Sequence, residues 1–364
     1  MMEQKHPLFD DYNGISRYAG VPTEQTTGRL HYNENLYGPS PKCLDTLKEL
    51  TMEDLYLYES NEHDELIDAL AQHTGIPAEN LFVNNGSAEN IKSILSIFTK
   101  RGDTVLMPDP GWSYYTGLAN YKFLNVVRYP ILEGEHKCAH DVEAILRLAK
   151  EHHPKLLFIT TPAMPTGNKM ADADIERILR ALPDTLVLVD EAYLGFAPYT
   201  LDVRRIIETY DNVAFSRTFS KYYGLANLRI GYGFCSRRLK DVLVLDLPLH
   251  RLPHINKRMA IAALNDTEYY DRVTAELLTT REDFSAQLNA LPGILAYESD
   301  ANFVYIKLVG YDVERIKAVV EKEGYLIRIF TGNEEKHLRI TIGTKALMDK
   351  FTPLLIKTIQ ESKI

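Results

Sequence analysis

The sequence predicts an α/β fold in two parts: a large domain whose mostly parallel sheet is sandwiched by helices, and a smaller α+β domain. Three observations predict it: apolar runs of strand length, helical-period segments between them, and a change of pattern near Glu268. In order, "NLFVNNGS" reads as a strand running into the helix "AENIKSILSIFTK", and "DTVLMPDPG" as the next strand. "KLLFITTP" precedes a helix from Asp172 to Leu182, and "TLVLVDEAY" and "NVAFSRTFS" complete the run. His152 and His153, just before Pro154, mark a helix end. From Glu268 a long charged helical segment leads to "ANFVYIKL", "YLIRIF" and "LRITIG", which alternate as the strands of a separate unit do. The large domain is placed at residues 45–260, with the N-terminal segment 1–44 and residues 261–364 forming the small one.

Composition narrows the function. At 364 residues and 45% hydrophobic, the chain can bury a large core. The net charge of -9 is spread along the chain without a Lys/Arg-rich run, so nucleic acid is not an expected partner. Apolar runs are too short to span a bilayer and the first residues lack a basic region followed by an apolar stretch, so no membrane association is expected and the cytoplasm is the default. Cys43, Cys138 and Cys235 lie far apart, which fits a reducing compartment. His136, Cys138 and His140 in "HKCAH" have ligand chemistry, but no second cluster completes a site, so no metal is expected.

In an open parallel sheet, ligands bind beyond the carboxyl ends of the strands, so polar residues there are the candidates. After "LFV", Gly86, Ser87 and Ala88 open a helix whose free N–H groups form a natural phosphate cradle; the plainer reading is capping by Ser87. After "TLVLV" comes Asp190, a carboxylate that needs a cation if buried, with Tyr193 close behind. After "NVAF", Thr218 and Ser220 surround Lys221, and Arg229 stands eight positions beyond the lysine. Hydroxyls, a lysine and an arginine at such offsets describe an anion site beside an amine that desolvation makes nucleophilic.

These motifs resemble those of the fold-type I, pyridoxal-phosphate-dependent aminotransferases, and most of all the histidinol-phosphate aminotransferase branch. The likeness runs from "LHYNENLYGPS" to "LRITIGT". It implies an aspartate-aminotransferase-like fold, pyridoxal 5'-phosphate as cofactor, and a small-molecule amino donor with a 2-oxo acid acceptor. Lys221 would carry the cofactor's Schiff base, and Thr218, Ser220, Arg229 and the turn at Gly86, Ser87 and Ala88 would hold its phosphate. Asp190 would meet the pyridine nitrogen, Tyr193 the phenolic oxygen, and Trp112 the ring face. Tyr58 aligns with a tyrosine that reaches the neighbouring subunit's cofactor phosphate, which implies a homodimer. Asn33 lies in the segment resembling the active-site lid; Arg339 matches the substrate-carboxylate arginine and Arg328 a position contacting the substrate's own phosphate, although an arginine on an edge strand is also an ordinary surface residue.

Three departures qualify the likeness. Met164 in "TTPAMPTGN" stands where the family has an asparagine that donates to the phenolic oxygen, and a thioether cannot donate. Asn227 replaces a glycine between lysine and arginine, and Glu59 follows Tyr58 where proline is usual. Two further functions therefore stay open: a decarboxylase of a phosphorylated amino acid, and a weakly catalytic cofactor-binding regulatory or scaffold protein.

Overall fold

The computed structural model describes residues 26–58, 64–247, 252–330 and 336–364, so Glu59 lies outside the described residues. In chain order its strands are β1 (Gly28–Arg29), β2 (Leu81–Asn84), β3 (Thr104–Asp109), β4 (Asn125–Glu133), β5 (Cys138–His140), β6 (Leu156–Thr160) and β7 (Leu186–Asp190). They continue with β8 (Val213–Thr218), β9 (Gly231–Cys235), β10 (Ile294–Ala296), β11 (Phe303–Leu308), β12 (Tyr325–Leu326), β13 (Arg328–Phe330) and β14 (Lys336–Thr341). The helices are α1 (Lys42–Asp45), α2 (Glu53–Tyr56), α3 (Glu65–Thr74), α4 (Ser87–Phe98), α5 (Ser113–Tyr121), α6 (Val142–His152) and α7 (Asp172–Ala181). After them come α8 (Val203–Thr209), α9 (Arg237–Leu243), α10 (His254–Leu264), α11 (Thr267–Asn289), α12 (Val313–Lys322) and α13 (Lys345–Glu361).

Eight strands form the large sheet in the order β2-β9-β8-β7-β6-β3-β4-β5. From β8 to β4 all pairings are parallel, while β9 runs antiparallel to both neighbours and β5 to β4. Both faces are covered, which is why β7 is buried at every position instead of alternating with polar residues. Val187 and Val189 pack into one apolar cluster and Leu186 and Leu188 into the other. "HKCAH" supplies the edge strand β5, where His140 contacts the Thr160 carbonyl at 3.1 Å and the Tyr129 hydroxyl at 3.3 Å, and Cys138 is buried.

The smaller unit is an antiparallel sheet in the order β10-β11-β14-β13, with α11, α12 and α13 around its own core. "YLIRIF" is two strands rather than one. Tyr325 and Leu326 pair in parallel with Gly28 and Arg29, whereas Arg328 to Phe330 join β14. A one-residue step at Ile327 thus ties the N-terminal segment to the small sheet. The helix expected up to Leu182 ends at Ala181 with Leu182 as its cap, and α6 ends at His152 with His153 in the left-handed region.

Candidate active site

Pairing places the first group of residues. Asn84 and Thr218 both lie opposite Gly231, one on each side of β9, so the turn after β2 meets the end of β8. Gly231 makes that approach feasible, since a Cβ there would stand 2.2 Å from the Gly86 carbonyl carbon. Gly86 itself has φ +84, and a Cβ on it would stand 2.6 Å from an Arg229 terminal nitrogen. Glycine is therefore needed twice over, for the conformation and for the room. Gly86, not Ser87, is the N-cap of α4, and no side chain caps that helix. The first-turn N–H groups of Ser87 and Ala88 thus lack intrahelical acceptors and stand where the helix dipole favours an anion. Thr218 Oγ1 donates to Ser220 Oγ at 2.9 Å, and Arg229 donates to the same Ser220 hydroxyl at 3.4 Å and to the Ala226 carbonyl at 3.0 Å. The structure brings together the phosphate-binding group expected from the sequence; Asn227 projects outward from the short turn beside it.

Asp190 ends β7 and is fully enclosed. Among the described residues no lysine or arginine pairs with it. Its carboxylate accepts from the Tyr115 hydroxyl at 2.5 Å and from the Ala192 N–H at 3.1 Å. Burial raises its pKa to about 6 against the lowering effect of those two donors. Tyr115, buried on α5 and also 3.0 Å from Thr160 Oγ1, was not singled out in the sequence. The only local signal is its spacing three residues beyond Trp112, one helical turn. Trp112 precedes α5, half-buried and edge-on to the Tyr115 ring at 5.5 Å.

Lys221 lies on the same side, 5.8 Å from the Tyr193 ring centroid. Its Nζ donates to the Tyr32 carbonyl at 2.7 Å. Burial first, and then the Arg339 charge, lower its pKa to about 8. Residues 30–38 run as a strap between the two sheets. In it Asn33, at φ +54, donates from its amide to the Tyr193 hydroxyl at 3.0 Å and is braced by Thr341. Asn35 holds the Tyr222 carbonyl at 2.8 Å, and Arg339 donates to the His31 carbonyl. Met164 meets this group from the large sheet, its Sδ 2.9 Å from an Arg339 nitrogen. Arg328 stands directly across the strand pair from Arg339. Tyr58 is 83% exposed, on the outer surface of this chain.

The pattern that defines a family described as aminotransferase class I and II matches residues 28–352. The chain belongs to that aminotransferase family. A histidinol-phosphate aminotransferase of Methanococcus maripaludis is 31% identical over 351 residues, spanning 95% of this aminotransferase and 93% of that relative. Among solved structures, the histidinol-phosphate aminotransferase of Sinorhizobium meliloti in complex with pyridoxal-5'-phosphate superposes with a TM-score of 0.86 at 24% identity, over 99% of this chain and 100% of that one. The L-threonine-O-3-phosphate decarboxylase of Porphyromonas gingivalis shares the fold, with a TM-score of 0.76 at 21% identity over 92% and 99% of the two chains.

Pyridoxal 5'-phosphate is the cofactor of this aminotransferase, and the residues present fit it. A buried carboxylate with no ion-pair partner among the described residues suits a protonated ring nitrogen, and an uncapped helix start beside a guanidinium suits a phosphate. Trp112 is the only tryptophan. If its indole lies against the cofactor, its emission is strongly quenched in the holoenzyme and recovers on cofactor removal. Equal emission in the two forms would place Trp112 elsewhere.

Proposed function

We propose that this aminotransferase moves an amino group from a phosphorylated amino donor of the histidinol-phosphate kind to a 2-oxo acid, with the site residues in the roles that follow. When bound, the cofactor serves as an electron sink for the carbanion left at the donor's Cα. Lys221 would be the residue that holds it at rest. Once displaced, its amine, with a pKa of about 8, takes the Cα proton as base and returns it as acid. Ionised Asp190 keeps the ring nitrogen protonated, and the Tyr115 hydroxyl fixes the carboxylate for that task. Asn33 donates to the Tyr193 hydroxyl oxygen, and the Tyr193 O–H would in turn serve the cofactor's phenolic oxygen as donor. Asn33 and Tyr193 thereby offset the donor lost at Met164. Gly86, Ser87, Ala88, Thr218, Ser220 and Arg229 would hold the cofactor phosphate, and Trp112 would cover the ring.

The observation that carries the donor class is Arg328 opposite Arg339. Like charges directly across an antiparallel pair repel, and Arg328 has no hydrogen bond or carboxylate partner among the described residues. An anionic substrate offsets that repulsion. Arg339 then takes a carboxylate where the substrate has one, and both arginines take a phosphate. Arg328→Ala should lower kcat/KM for phosphorylated donors by roughly tenfold to a hundredfold and leave aromatic amino acids nearly unaffected, while Arg339→Ala lowers both. Equal effects of Arg328→Ala on every donor would exclude the phosphorylated-donor reading.

A homodimer belongs to the same proposal. Leu44, Met52, Leu55, Tyr56, Leu57 and Tyr58 are each at least 60% exposed, an apolar patch that supports a subunit contact carrying Tyr58 into the neighbour's site. The small sheet has a core cluster of its own, which supports a two-part division, although Ala263, Leu264, Tyr270, Val273, Tyr297 and Tyr305 from beyond residue 260 pack into the cluster of the large sheet. No helix among the described residues is long and apolar enough to cross a membrane, and the dispersed, unpaired cysteines support a cytoplasmic setting.

A further inference from the structure

His31 is 2% exposed, and neither of its ring nitrogens has a hydrogen-bond partner among the described residues. Buried polar groups are nearly always satisfied, so an imidazole with both nitrogens orphaned calls for an explanation. Its surroundings supply one. The charges that act on the ring come from three different places: Arg29 on β1, Arg328 on β13 and Arg339 on β14. Arg29 is neutralised by Glu34, through contacts of 2.9 and 2.7 Å. Arg339 is held in place by the His31 carbonyl itself and by Met164. The Tyr32 ring lies against the imidazole, tilted by 37° with centroids 4.0 Å apart, and its backbone carbonyl holds the Lys221 amine. One residue of backbone therefore separates this imidazole from the reacting amine, with the two facing arginines alongside.

We propose that His31 is the third donor of an anion cradle with Arg328 and Arg339, and that its imidazole N–H makes the cradle select a phosphate over a carboxylate. The inference deepens the phosphorylated-donor reading and rests on it. Two carboxylate oxygens are used up by one guanidinium in a bidentate pair, whereas a phosphate monoester presents three strong acceptor oxygens, enough for both arginines and an imidazole. In the free protein the ring is neutral, since burial and then the three arginines lower its pKa to about 4. It then has one N–H to donate. A bound dianion cancels the arginine field, which favours uptake of a second proton by the ring. Anion binding at this site therefore strengthens as pH falls.

The test uses the holoenzyme and inorganic sulfate, a dianion that does not itself titrate near neutrality, as an inhibitor competing with an amino-acid donor. His31→Leu should weaken sulfate inhibition by about tenfold. His31→Gln, which keeps an N–H donor but cannot take up a proton, should retain much of the inhibition and lose its pH dependence. Sulfate inhibition that is absent in the parent or unchanged in His31→Leu overturns the proposal, and so does a His31→Gln variant with the parent's pH dependence. Should His31→Leu fail to fold, the pH profile of His31→Gln decides alone. If sulfate inhibition depends on His31 while phosphorylated donors react no better than amino acids, the cradle stands and the donor reading fails.

Discussion

Lys221→Ala should yield a folded protein that has lost the internal imine's absorbance and all turnover but still binds the cofactor reversibly as the free aldehyde. The lost proton transfer alone costs roughly a thousandfold to ten-thousandfold in kcat. Lys221 is the lysine placed against both Tyr193 and the strap, and its lowered pKa makes a neutral amine accessible near pH 8, as a nucleophile and a base both require. Folding should survive, because the substitution removes one hydrogen bond to the Tyr32 carbonyl and relieves the burial of a cation. Borohydride reduction of the parent holoenzyme followed by peptide mapping should mark Lys221. A label on another lysine would sink the assignment, as would an alanine variant with parental turnover.

The strand ends were legible because the physics there is local. Asp190, Thr218 and Gly86 each follow an apolar run, and the parallel order of β6, β7 and β8 carries such ends to one side. The split of "YLIRIF" was not legible, because Ile327 continues the alternation while its neighbours pair with strands almost three hundred and about ten residues away. Distance in sequence also hid the contacts of the strap. Asn33 meets Tyr193 across 160 positions, and His31 meets Arg339 across 308. Nothing in "LHYNEN" states that its histidine lies in the field of three arginines. Tyr115 was missed for another reason: a tyrosine one turn into a helix reads as core, and only the buried Asp190 carboxylate beside it gives the hydroxyl a task. The departure at Met164 gains a physical account in the same way. Its sulfur occupies the place beside Arg339, and the strap supplies an amide donor nearby, from Asn33 to the Tyr193 hydroxyl.

Asp190→Asn should trade activity for stability, a pairing of effects that a purely structural aspartate would not give. Asp190 carries a carboxylate whose pKa burial raises from 3.8 to about 6. The folded, cofactor-free protein therefore binds this proton more readily than the unfolded chain does. Stability falls as pH rises from about 4 through about 6, and the full penalty, roughly 3 kcal/mol, persists above that. Asparagine is nearly isosteric and neutral, so the variant escapes the penalty. Its cofactor-free form should melt a few degrees above the parent at pH 7 and at the same temperature below pH 4. The cofactor reverses the order. If its protonated ring nitrogen meets Asp190, saturating cofactor should stabilise the parent much more than the variant. Turnover in Asp190→Asn should drop by about a hundredfold to a thousandfold, the cost of losing a preorganised charge at the electron sink. The cofactor affinity of the parent should also weaken below about pH 6, where Asp190 takes up its proton, and that of the variant should not follow this pH dependence. Thermal melts with and without cofactor at three pH values, together with one kinetic assay, decide the matter. A variant less stable than the parent without cofactor at pH 7, or one that keeps parental kcat, would show that the buried carboxylate is not held in reserve for the ring nitrogen.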